Sequence, residues 1–205
     1  MESREARLCR GQLCLIRLNM PARSPLALIS LAAAVLLWPW APGGTPQAKA
    51  SDPELLPLRG TYRFAGGQEE TQEIERAIDE AVDEMNVFIR GIARRRLREP
   101  NLPTDELRIS LGSDTITVAR TGQPKVSAPA TGKRVPWRNP RNGNELEVSH
   151  RITPDGALEQ KLIGDRGVST NVFTISADGK LSMRTTVTAD KLPSTLRFTT
   201  TYVRK

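Results

Sequence analysis

Cysteine and histidine are scarce in this chain of 205 residues, which has two cysteines and one histidine. Both cysteines, Cys9 and Cys14, lie in the first 50 residues, so residues 51–205 contain none. A disulfide framework, a cysteine-based zinc site and a cysteine nucleophile are therefore excluded from residues 51–205. A Ser-His-Asp enzyme would have to use His150 as its base. With no second histidine and no cysteine beside it, neither a metal nor a cofactor is predicted.

Excess positive charge is also small outside the first 50 residues. The whole chain has 30 Lys and Arg against 23 Asp and Glu, which gives a formal net charge of +7. Six of the basic and two of the acidic residues lie in residues 1–50, so residues 51–205 have a net charge of only +3. So weak an excess removes most of the electrostatic argument for nucleic acid, which we do not expect as a partner.

Residues 1–50 have the pattern of an export signal. An apolar run extends from Leu26 to Leu37, Arg23 precedes it, and Ala48-Lys49-Ala50 follows it, directly before Ser51. A charged start, a short apolar run and a small-any-small site are typical of a Sec-type signal peptide. The sequence therefore predicts a leader over residues 1–50 that is cleaved after Ala50, with Met20 as an alternative start of the chain.

A membrane anchor is the alternative interpretation of this apolar run. The run is shorter than the ~20 apolar residues that a spanning helix needs, which favours the signal peptide. We therefore expect the protein to be exported, to the periplasm or to the cell exterior.

Residues 69–98 have the apolar period of a helix. Apolar residues recur at every third or fourth position and include Ile74, Ile78, Val82, Met85 and Ile89. Acidic residues fill the first half of the segment and arginines the second half, an arrangement that complements the helix macrodipole. Pro100 predicts the end of the helix. Because a helix over this segment would extend ~45 Å, we expect a bend near Gly91.

From Glu106 onward the apolar period is two, as in strands. The segments are separated by short turns such as Pro154-Asp155-Gly156. Thr121–Asn144 contains four prolines and three glycines and is predicted to hold one short strand, near Lys133–Trp137. The fold class predicted for residues 51–205 is mainly β. We expect a single antiparallel up-and-down barrel, or strongly curled sheet, of eight or nine strands with one long N-terminal helix inserted at 69–98.

The order of these elements resembles a known family. A strand that ends at Phe64, a helical insertion and a meander that ends at Tyr202 are similar to the lipocalin-like barrels, and in particular to the fatty-acid-binding proteins. The resemblance implies a barrel that holds a small apolar or lipid-like ligand. In that family an Arg-x-Tyr on the last strand holds the ligand carboxylate, whereas this chain has Thr200-Thr201-Tyr202. Because the arginine is replaced, a neutral or weakly polar ligand is expected.

Alternation along the strands identifies ten side chains that are expected to face the interior and contact the ligand. They are Tyr62, Phe64, Leu111, Val148, His150, Gln160, Met183, Phe198, Thr200 and Tyr202. Two other interpretations stay open. The aromatic residues are compatible with an ordinary core, and His150, between Val148 and Ile152 on the apolar face, is compatible with a buried structural histidine.

Five further residues are predicted to contact a membrane or a partner: Arg94, Arg95, Arg96, Arg98 and Trp137. The four arginines form a basic cluster that can attract an anionic lipid surface. The alternative is that they complement the end of the helix and its acidic first half. Trp137 lies among basic residues in a proline-rich segment, where it would form part of a contact rim or pack within the loop.

Two functions follow from these patterns. The first is an exported protein that binds a small apolar or lipid-like molecule inside the barrel. The second is a filled barrel that acts as an envelope-associated interaction module without a ligand. No catalytic residue is predicted, and an enzyme is not expected. The presence of an internal cavity distinguishes the two functions.

Overall fold

A computed structural model describes residues 57–205 of the chain, and the predicted signal peptide lies outside these residues. Ten strands and two helices form within them. In chain order they are β1 (Gly60–Phe64), α1 (Gly67–Val82), α2 (Val87–Asn101), β2 (Glu106–Leu111), β3 (Thr115–Arg120), β4 (Val126–Pro129), β5 (Val135–Arg138), β6 (Glu145–Ile152), β7 (Leu158–Gly164), β8 (Gly167–Ile175), β9 (Leu181–Ala189) and β10 (Leu196–Arg204). The predicted fold class, a mainly β antiparallel barrel with an N-terminal helical insertion, is confirmed.

The strands form one antiparallel sheet in the order β4-β3-β2-β1-β10-β9-β8-β7-β6-β5. The sheet curls until its two ends meet. Directly after β4, Thr131 forms a bridge with Arg151 of β6, and the Gly132 N–H donates to the His150 carbonyl at 2.8 Å. The chain from β4 to β5 thus crosses from β3 to β6 and nearly closes the barrel.

The strand count is ten rather than eight or nine, because Thr121–Asn144 contains two strands. β4 was not predicted; it pairs only with β3, and its Val126 and Ala128 point inward and are buried. β5 pairs only with β6, and it contains Pro136. Since proline has no N–H to donate, it is tolerated in such an edge strand.

The predicted single helix is two helices, and the break lies at residues 83–86 rather than near Gly91. Asn86 begins α2 because its side-chain Oδ1 accepts a hydrogen bond from the Phe88 N–H at 3.0 Å. Gly91 and Pro100 both lie inside α2. The apolar face of α1, before the break, is buried as expected. Ile89, after the break, is 49% exposed instead of lying on the barrel.

The two helices are joined by a ladder of ion pairs. Arg90, Arg94 and Arg98 of α2 pair with Asp83, Asp79 and Glu75 at 3.2, 2.6 and 2.6 Å. Each step of four residues forward along α2 meets a step of four residues back along α1, so the helices are antiparallel. The ladder confirms that part of the basic cluster complements the acidic helix.

The interior of the barrel has two unlike halves. One is filled by a continuous cluster that includes Leu58, Tyr62, Ile109, Leu158, Phe173, Leu181, Met183 and Tyr202, and we call it the filled half. At the other end of the strands, α1 packs on β10 through Ile74, Ile78, Leu196 and Phe198, and α2 contributes Leu97. We call this helix-covered end the hollow half, because it contains the cavity described below.

Candidate ligand-binding site

A cavity of about 530 Å³ lies between α2 and the barrel wall. Its walls are largely apolar and include Val118, Val126, Trp137, Leu146, Leu162 and Val187. Leu97 and Pro100 of α2 cover it. On β3, β7 and β9 the wall residues share the inner face with residues of the filled half, so strand alternation directs Val118, Leu162 and Val187 inward.

The cavity continues outward into a polar opening of about 880 Å³. Arg96 and Pro100 of α2, Asn139 and Asn144 beside the β5–β6 turn, and Arg166 in the β7–β8 turn border both spaces. The two spaces are therefore continuous, and the outer one has the more polar lining.

A row of hydrogen-bonded polar side chains crosses the interior on four neighbouring strands. Thr185 Oγ1 donates to Asn171 Oδ1, and Asn171 Nδ2 donates to Gln160 Oε1, each at 2.9 Å. Gln160 Nε2 lies 2.9 Å from His150 Nε2, and His150 Nδ1 lies 2.9 Å from the Ile116 carbonyl oxygen. We call Thr185, Asn171, Gln160 and His150 the polar belt. Gln160 and Asn171 also line the cavity.

The protonation state of His150 follows from its partners. The Ile116 carbonyl oxygen can only accept a hydrogen bond, so Nδ1 carries the hydrogen. Burial lowers the pKa of His150 to about 4, although its backbone hydrogen bonds oppose the shift. The ring is therefore neutral near pH 7, and its bare Nε2 accepts a hydrogen bond from the Gln160 amide.

Arg120, at the end of β3, follows Ile116 and Val118 on the inner face and lines the cavity. No hydrogen bond or salt bridge joins its guanidinium to another side chain or to the backbone of residues 57–205. Burial lowers the pKa of Arg120, and Tyr202 acts against that shift. The hydroxyl of Tyr202 is itself buried with no hydrogen-bond partner in residues 57–205.

The ten residues predicted to bind ligand are distributed over the whole interior. Gln160 lines the cavity, and His150 belongs to the polar belt with it. Thr200 is buried and donates to the Met183 carbonyl at 3.3 Å. Tyr62, Met183 and Tyr202 lie in the filled half, with Phe64 and Leu111 packed against them. Val148 packs with Val126 and Ala128, and Phe198 packs under α1. That these ten residues contact a ligand stays a prediction.

Three polar residues beside the cavity were not predicted: Arg120, Asn171 and Thr185. Each has a signal in the alternation of its strand. Arg120 is two residues after Val118, Asn171 is two residues before Phe173, and Thr185 is two residues after Met183. A count of alternate positions places all three on the inner face.

The five residues predicted to contact a membrane or partner occupy different environments. Arg94 and Arg98 pair with α1. Arg95 and Arg96 are exposed, and Arg96 borders the mouth of the cavity. Trp137 lies on β5 and packs against the cluster of Val126, Ala128 and Val148, where it forms part of the cavity wall.

The first turns of α2 expose several apolar side chains: Val87, Phe88, Ile89 and Ile92, which we call the apolar tip. Phe88 is 89% exposed. Neither helix of residues 57–205 is long and apolar enough to cross a bilayer. Within the same residues, no three His, Cys, Asp or Glu side chains cluster as a metal site would require.

No protein-family model matches the chain, and no curated protein matches it. Solved structures are similar to it at low identity. Lipid binding protein 8 of Caenorhabditis elegans has 14% identity and a TM-score of 0.47, over 74% of this chain and 97% of that one. The zebrafish ileal bile acid-binding protein has 11% identity and a TM-score of 0.44, over 73% and 99%. A luciferase domain of the dinoflagellate Lingulodinium polyedrum has 14% identity and a TM-score of 0.45, over 72% and 42%.

These similar structures include lipid-binding proteins, the kind of protein that the order of elements resembles. At such identities and TM-scores the similarity carries no conclusion about a ligand. The fold assignment rests on the strand order and pairing described above.

Proposed function

We propose that this protein binds a small, largely apolar molecule that carries one anionic group. The observation that carries the proposal is the cavity under α2, which is lined by apolar side chains and by the half-buried Arg120. Its volume of about 530 Å³ lies within the usual range of ligand pockets, roughly 300–1,000 Å³. Apolar walls with a few polar groups are also the usual composition of such pockets.

Arg120 is the reason for the anionic group. Removing a charge from water is costly unless an opposite charge or hydrogen bonds compensate it. Residues 57–205 offer the Arg120 guanidinium no such partner, whereas a ligand carboxylate, sulfonate or phosphate in the cavity would. The expectation of a neutral ligand rested on the last strand alone, and an inward arginine on β3 changes that expectation.

A displacement assay with a fluorescent alkyl carboxylate tests the proposal. We expect wild-type protein to bind the probe, and dodecanoate to displace it at lower concentration than dodecanol does. Leu162→Trp should abolish uptake because Leu162 lines the cavity, whereas Lys161→Trp, on the opposite face of β7, should not. If wild type binds neither compound, the protein is better explained as an interaction module without a ligand.

We infer a binding rather than a catalytic role. Both ring nitrogens of His150 already have partners, and its low pKa disfavours the protonated form that a general acid requires. We also propose that the protein is exported, on the pattern of residues 1–50. N-terminal sequencing of the protein from the periplasm or medium should begin at or near Ser51; an uncleaved leader in the membrane fraction would contradict export.

A second candidate function is contact with an anionic lipid surface through α2. The apolar tip supports it, because four exposed apolar side chains precede the arginines on the same helix. An apolar side chain inserted beside basic residues is the usual pattern of interfacial helices. Such contact would place the mouth of the cavity near the lipid.

Vesicle sedimentation tests this second function. We expect binding to vesicles of phosphatidylglycerol that weakens with salt, and little binding to phosphatidylcholine. Phe88→Asp should remove it, whereas Gln72→Asp, which adds the same charge at an exposed position of α1, should not. Equal loss in the two variants would show that charge alone, and not the apolar tip, is responsible.

A further inference from the structure

We propose that His150 is a positioning residue that fixes the direction of the hydrogen bonds along the polar belt. It thereby decides where the floor of the cavity offers donors and acceptors to a ligand. The inference rests on the proposed function, because it concerns ligands bound in the cavity beside Gln160 and Asn171.

The direction of the belt is not set by its other members. A hydroxyl and the side-chain amides of Asn and Gln each contain both a donor and an acceptor. Thr185, Asn171 and Gln160 could therefore form the same row with every hydrogen bond reversed. His150 removes this freedom, because its Nδ1 donates to the Ile116 carbonyl and leaves Nε2 as an acceptor. The Gln160 NH₂ must then face His150. The side chains of Asn171 and Thr185 are oriented in turn.

The direction matters because the belt is only partly saturated. Gln160 and Asn171 each use one N–H and one lone pair within the belt, and no other residue of 57–205 bonds to their side chains. Each amide thus keeps one N–H and one lone pair, and both residues line the cavity. Reversal of the belt would exchange the positions of these donors and acceptors. An anionic group gains from the N–H groups and is disfavoured beside the carbonyl oxygens.

Two substitutions separate the two hydrogen bonds of the ring. His150→Asn can keep a donor for the Ile116 carbonyl but has no acceptor at the position of Nε2. His150→Met can place a thioether sulfur, which accepts but cannot donate, near Nε2 but loses the bond to Ile116. If the acceptor fixes the belt, only the first substitution frees the Gln160 and Asn171 amides to reverse. Thermal unfolding of both variants checks that each still folds.

The first measurement concerns the ring itself. His150 is the only histidine of the chain, so ¹⁵N-histidine labelling of the whole protein reports this ring without assignment. We expect one protonated and one bare nitrogen at pH 7, with the hydrogen on Nδ1. A hydrogen on Nε2, or a mixture of the two tautomers, would overturn the inference.

The second measurement is selectivity, expressed as the ratio of the dissociation constants of dodecanol and dodecanoate. We expect this ratio to fall about fivefold in His150→Asn, the size of one net hydrogen bond, and to stay within about twofold of wild type in His150→Met. An equal fall in both variants, or no fall in His150→Asn, would overturn the inference alone. If wild type binds neither compound, the proposed function is overturned and this inference with it.

Discussion

The two halves of the barrel are built from the same strands but differ in how their interiors are filled. On β7, Leu158 is buried in the filled half, and Leu162, four residues later on the same face, lines the cavity of the hollow half. On β9, Met183 belongs to the filled half and Val187 to the cavity wall. Since strand geometry is continuous from one half to the other, the difference arises from what closes each end. Apolar side chains fill one end, and two helices cover the other.

Polar groups mark the boundary between the halves. Every member of the polar belt has a hydrogen-bond partner, so the belt costs less to bury than unpaired polar groups would. Arg120 lies on the cavity side, half-buried and without a partner in residues 57–205, so the partial desolvation of its guanidinium is not compensated. A fold selected only for stability would not keep such a group. The comparison therefore predicts that stability resides in the filled half and ligand recognition in the hollow half.

The matched pair Leu158→Ala and Leu162→Ala tests this comparison most strongly. Leu158 is 1% exposed within the filled half, so its truncation should leave a new cavity and cost about 2–5 kcal/mol of unfolding free energy. Because Leu162 already borders a cavity, Leu162→Ala should cost only about 1 kcal/mol of unfolding free energy. Urea unfolding measures both. Equal costs would mean that the hollow half is packed as tightly as the filled half.

The pH dependence of stability tests the belt at the boundary. Because the folded pKa of His150 is about 4 and its ordinary value is 6.5, the unfolded chain binds this proton first as the pH falls. The contribution of neutral His150 to the free energy of unfolding is complete above pH 6.5. It is lost between pH 6.5 and 4, by up to about 3 kcal/mol. Comparison of the unfolding free energies of wild type and His150→Asn at pH 7 and pH 4.5 isolates the contribution of His150. The same pH dependence in both would show that carboxylates, not His150, are responsible.

Much of this architecture could be predicted from the sequence because it depends on local patterns. Alternating apolar residues located most of the strands after Glu106, and the turns at Gly156 and Gly179 contain glycines with φ of 78° and 77°. The apolar face of α1 was also correct. The predicted position of the helix break is wrong, because the side chain of Asn86 caps a new helix there and Gly91 lies inside that helix.

Other features depend on contacts between distant residues. The closure of the barrel through Thr131 and Arg151 joins residues whose sequence carries no sign of their pairing. The position of the cavity depends on where α2 crosses the barrel. The apolar periodicity of the sequence does not specify that crossing. Alternation along β3 does place an arginine inward, whereas the family pattern concerns the last strand alone.

Replacement of Arg120 by methionine should separate stability from function. Replacement of a half-buried, unpaired charge by an apolar side chain of similar length should stabilise the unliganded protein slightly, by up to about 1 kcal/mol. The same substitution should weaken dodecanoate binding and leave dodecanol binding nearly unchanged. Calorimetric unfolding and the displacement assay measure the two effects. Arg108→Met, on the opposite face of β2, is the control. Destabilisation by Arg120→Met would instead indicate that the guanidinium has a structural partner.

The smallest effect concerns the cover of the hollow half. If apolar contacts of Ile74 and Ile78 hold the helices in place, the ion ladder should add little to them. Arg94 and Asp79 are 45% and 53% exposed, and exposed pairs of this kind contribute about 0.2–1 kcal/mol. Arg94→Gln should therefore cost about 0.5 kcal/mol at low salt and nothing measurable in 1 M NaCl, where the charges are screened. Arg95→Gln, which removes the same charge at a position with no ion pair in residues 57–205, should cost less at either salt concentration. A loss of 2 kcal/mol that persists in high salt would show that the ladder, and not the apolar face of α1, holds the cover over the cavity.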